Sequence, residues 1–423
     1  MLKKQRKKRL SLIIALSLFL SSCASTNNNI GYKSSGYKKN YEEKYYPPVV
    51  LDVLIPVFDG GIEKVNESEI QNFNDIRRAE SIHFAVKLKN KIKDRKVFVN
   101  PKVMPSARAF ADIYVFGNII ESNGRDLKLK IRFEDAQGIE IKAKKNKSLK
   151  TYKGNGRYEY SCNVKCRNSL SSNPRIKKGG SPFDIIFSDI AKNLEFSVQK
   201  RSQKNLFHVQ KTKELRFARF IAPEKFGEYI ETKNRKGKNS RNTHKLIFLP
   251  DDSDPMFVRS NAIKLREQVF VDDSQEYIEN HVYDTKFLSQ YSKWQDQNAA
   301  AIEAEDKARS AQVGAAIGGV LLLALAVYGA SEGNSDAAAA GAVGSGLAFQ
   351  KAKKFGEEAK MYSEAISEMN IDINNISATR NMKIENQVFK ERGTIEDTFE
   401  SYGNFLKQVY SETNLNTATP LYP

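Results

Sequence analysis

Four histidines, three cysteines and a large set of carboxylates are the side chains in this sequence that could do chemistry. His83, His208, His244 and His281 are scattered, and none falls in the His-Glu-x-x-His spacing that sets two imidazoles on one helix face for zinc. There is no Gly-x-Ser-x-Gly elbow, no P-loop and no Rossmann glycine fingerprint. Asp251-Asp252-Ser253-Asp254 has the acidic start of a calcium loop but lacks the glycine and the distal glutamate that complete one. Glycines crowd the stretch 313–349, without the Lys-Ser or Lys-Thr that would finish a phosphate cradle. Carboxylate pairs are abundant in any charged chain, and spacing alone nominates no glycosidase pair. The expectation is therefore a non-enzyme with no cofactor and no metal.

The three cysteines carry more information. Cys23 closes a segment that begins with six Lys and Arg residues between Lys3 and Arg9, followed by the apolar run Leu10 to Leu20. Charged n-region, apolar h-region and small residues before a cleavage point make a secretory signal, and about a dozen apolar residues are too few for a stable span. An uncleaved anchor is the alternative. Leu20-Ser21-Ser22-Cys23 resembles the lipobox of bacterial lipoproteins. That resemblance implies that Cys23 becomes the first mature residue and carries acyl chains, which anchor the chain to a membrane. Ala24 and Ser25, where an aspartate would imply retention in the inner membrane, imply the outer membrane.

In an exported chain Cys162 and Cys166 are an even pair in an oxidising space. A metal site would need two further ligands, and Tyr160-Ser161-Cys162-Asn163-Val164-Lys165-Cys166-Arg167 supplies none. A local Cys162–Cys166 disulfide is expected, with free thiols as the alternative. The formal charge of +18 loses the six signal charges to leave +12 on a mature chain of 401 residues (423 less 22). A basic cytosolic protein would suggest nucleic acid. Export replaces that partner with anionic lipid headgroups, lipopolysaccharide or acidic envelope proteins. The Lys excess is equally the habit of an AT-rich genome.

The elements follow in order. Residues 1–22 are the signal, and 23–48 are low in aliphatics and read as a flexible tether. Val49 to Phe58 is a nearly continuous apolar run of strand length, with Pro56 better suited to an edge or bulge. A helix is expected from Glu67 to Lys93, with Ile70, Phe73, Ile76, Ala79, Ile82 and Val86 on one face and Arg77, Arg78 and Lys87 off it. His83 lies beside that face and reads as a core histidine. Val97-Phe98-Val99 is a short strand ended by Asn100-Pro101. Ile113 to Ile120, the turn dipeptide Asn123-Gly124, and Leu127, Leu129, Ile131 and Phe133 alternating with charges make a hairpin with one wet face. Asp135-Ala136-Gln137-Gly138 turns into Ile139 and Ile141, and a second helix spans Pro182 to Val198.

Strand Leu54-Ile55-Pro56-Val57-Phe58, helix, then Ala111-Asp112-Ile113-Tyr114-Val115-Phe116-Gly117 leading to a hairpin with Asp135-Ala136-Gln137-Gly138 at its turn is similar to the N-terminal domain of TolB. The curli secretion lipoprotein and several flagellar and peptidoglycan-synthase accessory lipoproteins share that type of domain. The resemblance covers residues 49–200 and implies protein–protein work in the envelope, with no catalytic residues to transfer. The Cys162–Cys166 insertion and the basic loop near Arg175 to Lys178 depart from it.

Residues 201–273 read as a second small or linking region. Leu215 to Ala222 is of strand or helix length and is stopped by Pro223, and Thr232 to Lys245 is a polar basic loop. From about Ser274 the chain is expected to be helical to residue 412, with 413–423 as a tail. Tyr283, Phe287, Tyr291 and Trp294 form one stripe, and Phe355, Ala359, Tyr362, Ile366 and Met369 another. A further helix lies near Ile395 to Tyr410. The two stripes suggest a long antiparallel hairpin whose glycine-rich apolar tip is 313–349. Gly314, Gly318, Gly341 and Ser345 suit close helix–helix contact, with partners or with other copies. The fold class is thus α+β, a sheet-and-helix sandwich followed by a mainly helical region. Two functions fit: a structural or assembly lipoprotein of a secretion, motility or envelope-maintenance machine, or a membrane-active, pore-forming oligomer built on the hairpin. A lipid or peptidoglycan binder is a weaker third.

Overall fold

The first strand, β1 (Asp52–Pro56), buries Val53, Leu54, Ile55 and Pro56 because it lies between two parallel neighbours. In the computed structural model the described residues are 46–62, 71–142, 150–151, 157–162, 183–234, 242–282, 285–311, 343–372, 381–384, 387–390 and 393–412. β2 (Val99–Met104) and β3 (Ile113–Ser122) flank β1. The sheet then continues antiparallel through β4 (Leu127–Asp135) and β6 (Arg157–Cys162) to the two-residue edge β5 (Lys150–Thr151). Helix α1 (Gln71–Lys93) makes the crossover from β1 to β2 and packs against α2 (Asp184–Gln199). The architecture is mixed α+β.

Two strand boundaries differ from the sequence reading. Asn100-Pro101 does not end β2 but lies inside it, with Asn100 in left-handed backbone at φ +46. Proline is tolerated there because β2 is the edge of the sheet, where a missing N–H costs no ladder bond. Ile139 and Ile141 form no further strand: a single bridge joins Glu134 to Glu140, and Ile139 stays exposed. The β3–β4 hairpin does turn at Asn123, Gly124, Arg125 and Asp126. Gly124 there is at φ +78, and Asn123 Oδ1 accepts from the N–H groups of Arg125 and Asp126. Leu127, Leu129, Ile131 and Phe133 all point into the core.

The chain from Tyr46 onward forms one unit, and its later elements close over the sheet. α3 (Gln203–Ile221) starts at Ser202, whose hydroxyl accepts from Asn205 N, and ends before Pro223, which opens the one-turn α4 (Pro223–Phe226). The stretch read as a polar loop contains a small hairpin, β7 (Ile230–Lys233) with β8 (Thr243–Leu246). The helical region begins well before Ser274, with α5 (Pro255–Val282). Asp254 accepts from Met256 N and Phe257 N at its start, so the acidic run 251–254 is a helix cap. The helical period of Phe257, Ile263, Phe270 and Ile278 was hidden because Lys264 and Glu267 interrupt it, and both are buried.

α6 (Thr285–Ala311) and α7 (Val343–Glu368) pack extensively on one another, and α8 (Ile395–Glu412) lies on α3 and α5. A second short hairpin, β9 (Asn381–Ile384) with β10 (Gln387–Lys390), precedes α8. Phe287, Tyr291 and Trp294 are buried in a stacked row and join the core formed by β1, β3, β4, α1 and α2. A second core, around Phe217, Phe226, Phe257, Phe270, Tyr402 and Leu406, knits α3, α5 and α8. Tyr283 and the segment between α6 and α7 lie outside the described residues.

Candidate functional site

The largest concentration of buried ionisable groups sits where the sheet meets α3 and α5. Asp52 N donates to Asp112 Oδ2 at 3.0 Å, and Asp112 N donates to Asp52 Oδ1 at 2.6 Å. This reciprocal clasp fixes the start of β1 beside the residue that leads into β3. Lys213, from the middle of α3, donates to both carboxylates, at 2.9 Å to Asp52 Oδ2 and 2.7 Å to Asp112 Oδ2. Asp112 is fully buried, and its Oδ1 has no hydrogen-bond partner among the described residues. From α5, Glu267 Oε1 accepts from Phe110 N at 3.3 Å, and Lys264 is buried one turn away. Arg216 braces the same segment, donating to Ala136 O at 3.0 Å and to the Tyr114 hydroxyl at 3.3 Å.

Burial sets the proton affinities here. It pushes Asp112 up to about 7, helped by the neighbouring Asp52 charge and opposed by Lys213. Burial also pushes Glu267 up to about 7, against the Phe110 N–H and Lys264. For Asp52, burial is outweighed by the Lys213 ammonium and by the Asp112 N–H, which hold its carboxyl low. Burial lowers Lys264, and the like charge of Lys213 adds to the effect. In Lys213 burial works the same way but loses to Asp112 and Asp52, so its ammonium is held above its ordinary range.

A second buried carboxylate, Glu80 of α1, accepts from the Ser122 hydroxyl at 2.5 Å and the Tyr291 hydroxyl at 2.7 Å, with Arg77 at 3.4 Å. It ties α1 to the end of β3 and to α6. Burial raises its pKa. Arg77, expected off the apolar face of α1, is buried because α1 is covered on this side as well. His83 packs edge-on against Phe287 and Tyr291, and burial, with Lys87 adding to it, pulls its pKa well down. It is a core histidine.

Among the described residues, His83, Cys162, His208 and His244 fall on separate elements, α1, β6, α3 and β8. Cys162 ends β6 opposite Leu127 and is buried, while Cys23 and Cys166 lie outside the described residues. Gly314, Gly318 and Gly341 also lie outside them, and Ser345 falls in the first turn of α7. His208 meets Tyr46 edge-on, and His244 Nδ1 is 3.1 Å from the Thr232 hydroxyl. The sequence reading missed Asp112, Lys213, Glu267 and Glu80. Their signal was present as charged residues inside otherwise apolar helical or strand patterns.

Among the described residues no group of His, Cys, Asp and Glu could hold a metal ion, and no helix is long and apolar enough to cross a membrane. No protein-family model, curated protein or solved structure matches the chain.

Proposed function

We propose that the chain is a lipid-anchored, non-catalytic structural or assembly component of a bacterial envelope machine. It is held at the outer membrane by acyl chains on Cys23 and faces the periplasm. Its partners are envelope proteins or further copies of itself. One observation on the folded part carries the reading. α5 buries Phe257, Ile263 and Phe270 on one side and leaves Val258, Leu265 and Val269 about half exposed on another. Steps of seven and four residues put those three on one helix face, a stripe about 16 Å long at 1.5 Å per residue. An aliphatic stripe of this kind suits an apolar protein partner. The TolB-like resemblance of residues 49–200 supports the same kind of work.

The finer architecture belongs to this proposal. α6 and α7 are read as the arms of an antiparallel hairpin, with the glycine-rich segment 313–349 as its tip; their mutual packing supports that. The test is cross-linking of the full chain in mild detergent. A species larger than the monomer is expected, lost in Leu265→Lys/Val269→Lys while the melting temperature is kept. A wild-type protein that stays monomeric without co-captured protein would overturn the reading.

A further inference from the structure

The charges at the joint of sheet, α3 and α5 do not balance. Asp52, Asp112 and Glu267 are three carboxyl groups, facing the two ammonium groups of Lys213 and Lys264. Around them, Lys102 of β2 also feels the Asp52 charge, with burial pulling its ammonium down to about 8, and Tyr402 of α8 feels the Glu267 charge. Lys102 of β2 pairs with Asp272, Glu214 of α3 pairs with Lys211 at 3.1 Å, and Arg216 is held by Ala136 O and Tyr114. With those five groups ionised, they carry one net negative charge away from water, which is costly, and among the described residues only the more exposed Lys102 lies near enough to offset it. One added proton makes the five neutral, and the bare Oδ1 of Asp112 and the second oxygen of Glu267 are places to hold it.

We propose that this cluster is a proton-dependent latch: holding one proton among Asp52, Asp112 and Glu267, it clamps α5 to the sheet, and losing that proton loosens α5. The hinge of the device is the segment Ala109–Asp112. Its backbone is gripped by Glu267 through Phe110 N, by Asp52 through Asp112 N, and by the Tyr114 hydroxyl, which accepts from Ala111 N and donates to Ala109 O. α5 reaches the sheet edge as well, where Gln275 accepts from Val103 N, and it reaches α1, where Lys89 pairs with Glu279. Loosening at Glu267 would therefore expose the hydrogen-bonding edge of β2 that α5 covers. The device stands on the buried cluster alone and is independent of the proposed envelope role.

The sign follows from linkage. A carboxyl whose value is raised in the closed state favours closure at low pH, and that advantage is lost as pH rises through about 7. Taking about 4.5 for the open state, the opening constant should rise roughly tenfold between pH 6 and pH 8. Amide hydrogen exchange of α5 in the full chain, corrected for intrinsic rates, measures it. Glu267→Gln keeps the acceptor for Phe110 N and cannot lose a proton, so the tenfold change should vanish. Asp112→Asn is the second variant, and loss of the pH dependence in either one supports the latch. Glu80→Gln, in the separate buried cluster, should leave the dependence intact. Equal protection of wild-type α5 at both pH values, persistence of the change in both variants, or its loss in Glu80→Gln would overturn the proposal.

Discussion

Lys213 is the residue on which the electrostatics of the fold turn. It is the direct partner of two carboxylates whose backbones already clasp one another, so its loss leaves like charges facing each other out of water. Removing one member of a buried charge set costs about 3–5 kcal/mol. Lys213→Met should therefore lower the melting temperature strongly at pH 8. The deficit should shrink at pH 5, because carboxyls without their cation bind protons more readily in the folded state and regain stability as pH falls. Asp112→Asn in the same background should recover part of the loss at pH 8. A deficit equal at both pH values would show that Lys213 acts by packing alone. None of this was legible in the sequence as a site. Asp52 interrupted an apolar strand, and Lys213 and Glu267 interrupted helical periods. In one dimension a charge inside an apolar pattern looks the same whether it is exposed or paired.

At the scale of elements, the β3–β4 hairpin meets α6 at a close backbone approach, beside an ion pair between Arg125 and Asp306. Gly124 is at φ +78, and a Cβ built there would lie 2.7 Å from Gln295 O, while Asn298 donates to Asn123 O at 2.8 Å. Gly124→Ala thus combines left-handed strain of roughly 1 kcal/mol with displacement of α6, for about 2–3 kcal/mol in total. Gly393→Ala is the control. Gly393 is at φ +101, but its nearest atoms to a Cβ are at 3.8 Å, so only the conformational cost remains. Thermal melts should place Gly124→Ala clearly below Gly393→Ala, and equal losses would remove the hairpin–helix contact from the account. The hairpin itself was readable because Asn123-Gly124 is a local signal and the residues of β4 alternate strictly. α5 was not, since the charges that hold it to the sheet fall at its buried positions. β2 was cut short because Asn100-Pro101 ends a strand only where the ladder needs the missing N–H. The edge position that makes it harmless is set by the order of strands across the sheet, which no local window contains.

At the scale of the whole molecule, the question is what the region between α6 and α7 would do for a chain anchored at Cys23 as proposed. Val313 to Ala330 is 18 residues, near the minimum for one span at about 1.5 Å per residue. Ala337 to Phe349 is 13 residues, or about 20 Å, short of a hydrocarbon core of about 30 Å. Two limbs of unequal length, with Glu332 and Asp336 between them, make a poor membrane hairpin, because those charges would have to cross or stay buried at several kcal/mol. Small residues at Gly314, Gly318, Gly341 and Ser345 suit close helix–helix contact in lipid or in protein, and the lengths and charges favour protein. Gly314→Leu/Gly318→Leu should then abolish the cross-linked assembly while the chain stays in the outer-membrane fraction. Cys23→Ser should do the reverse to location, leaving uncleaved precursor in the inner membrane; normal processing and outer-membrane recovery of that variant would remove the anchor. The pore-forming alternative makes the opposite forecast for a chain begun after Cys23. If that unacylated protein still partitions into membranes, and stops doing so when residues 313–349 are deleted, the tip enters lipid and the packing account gives way.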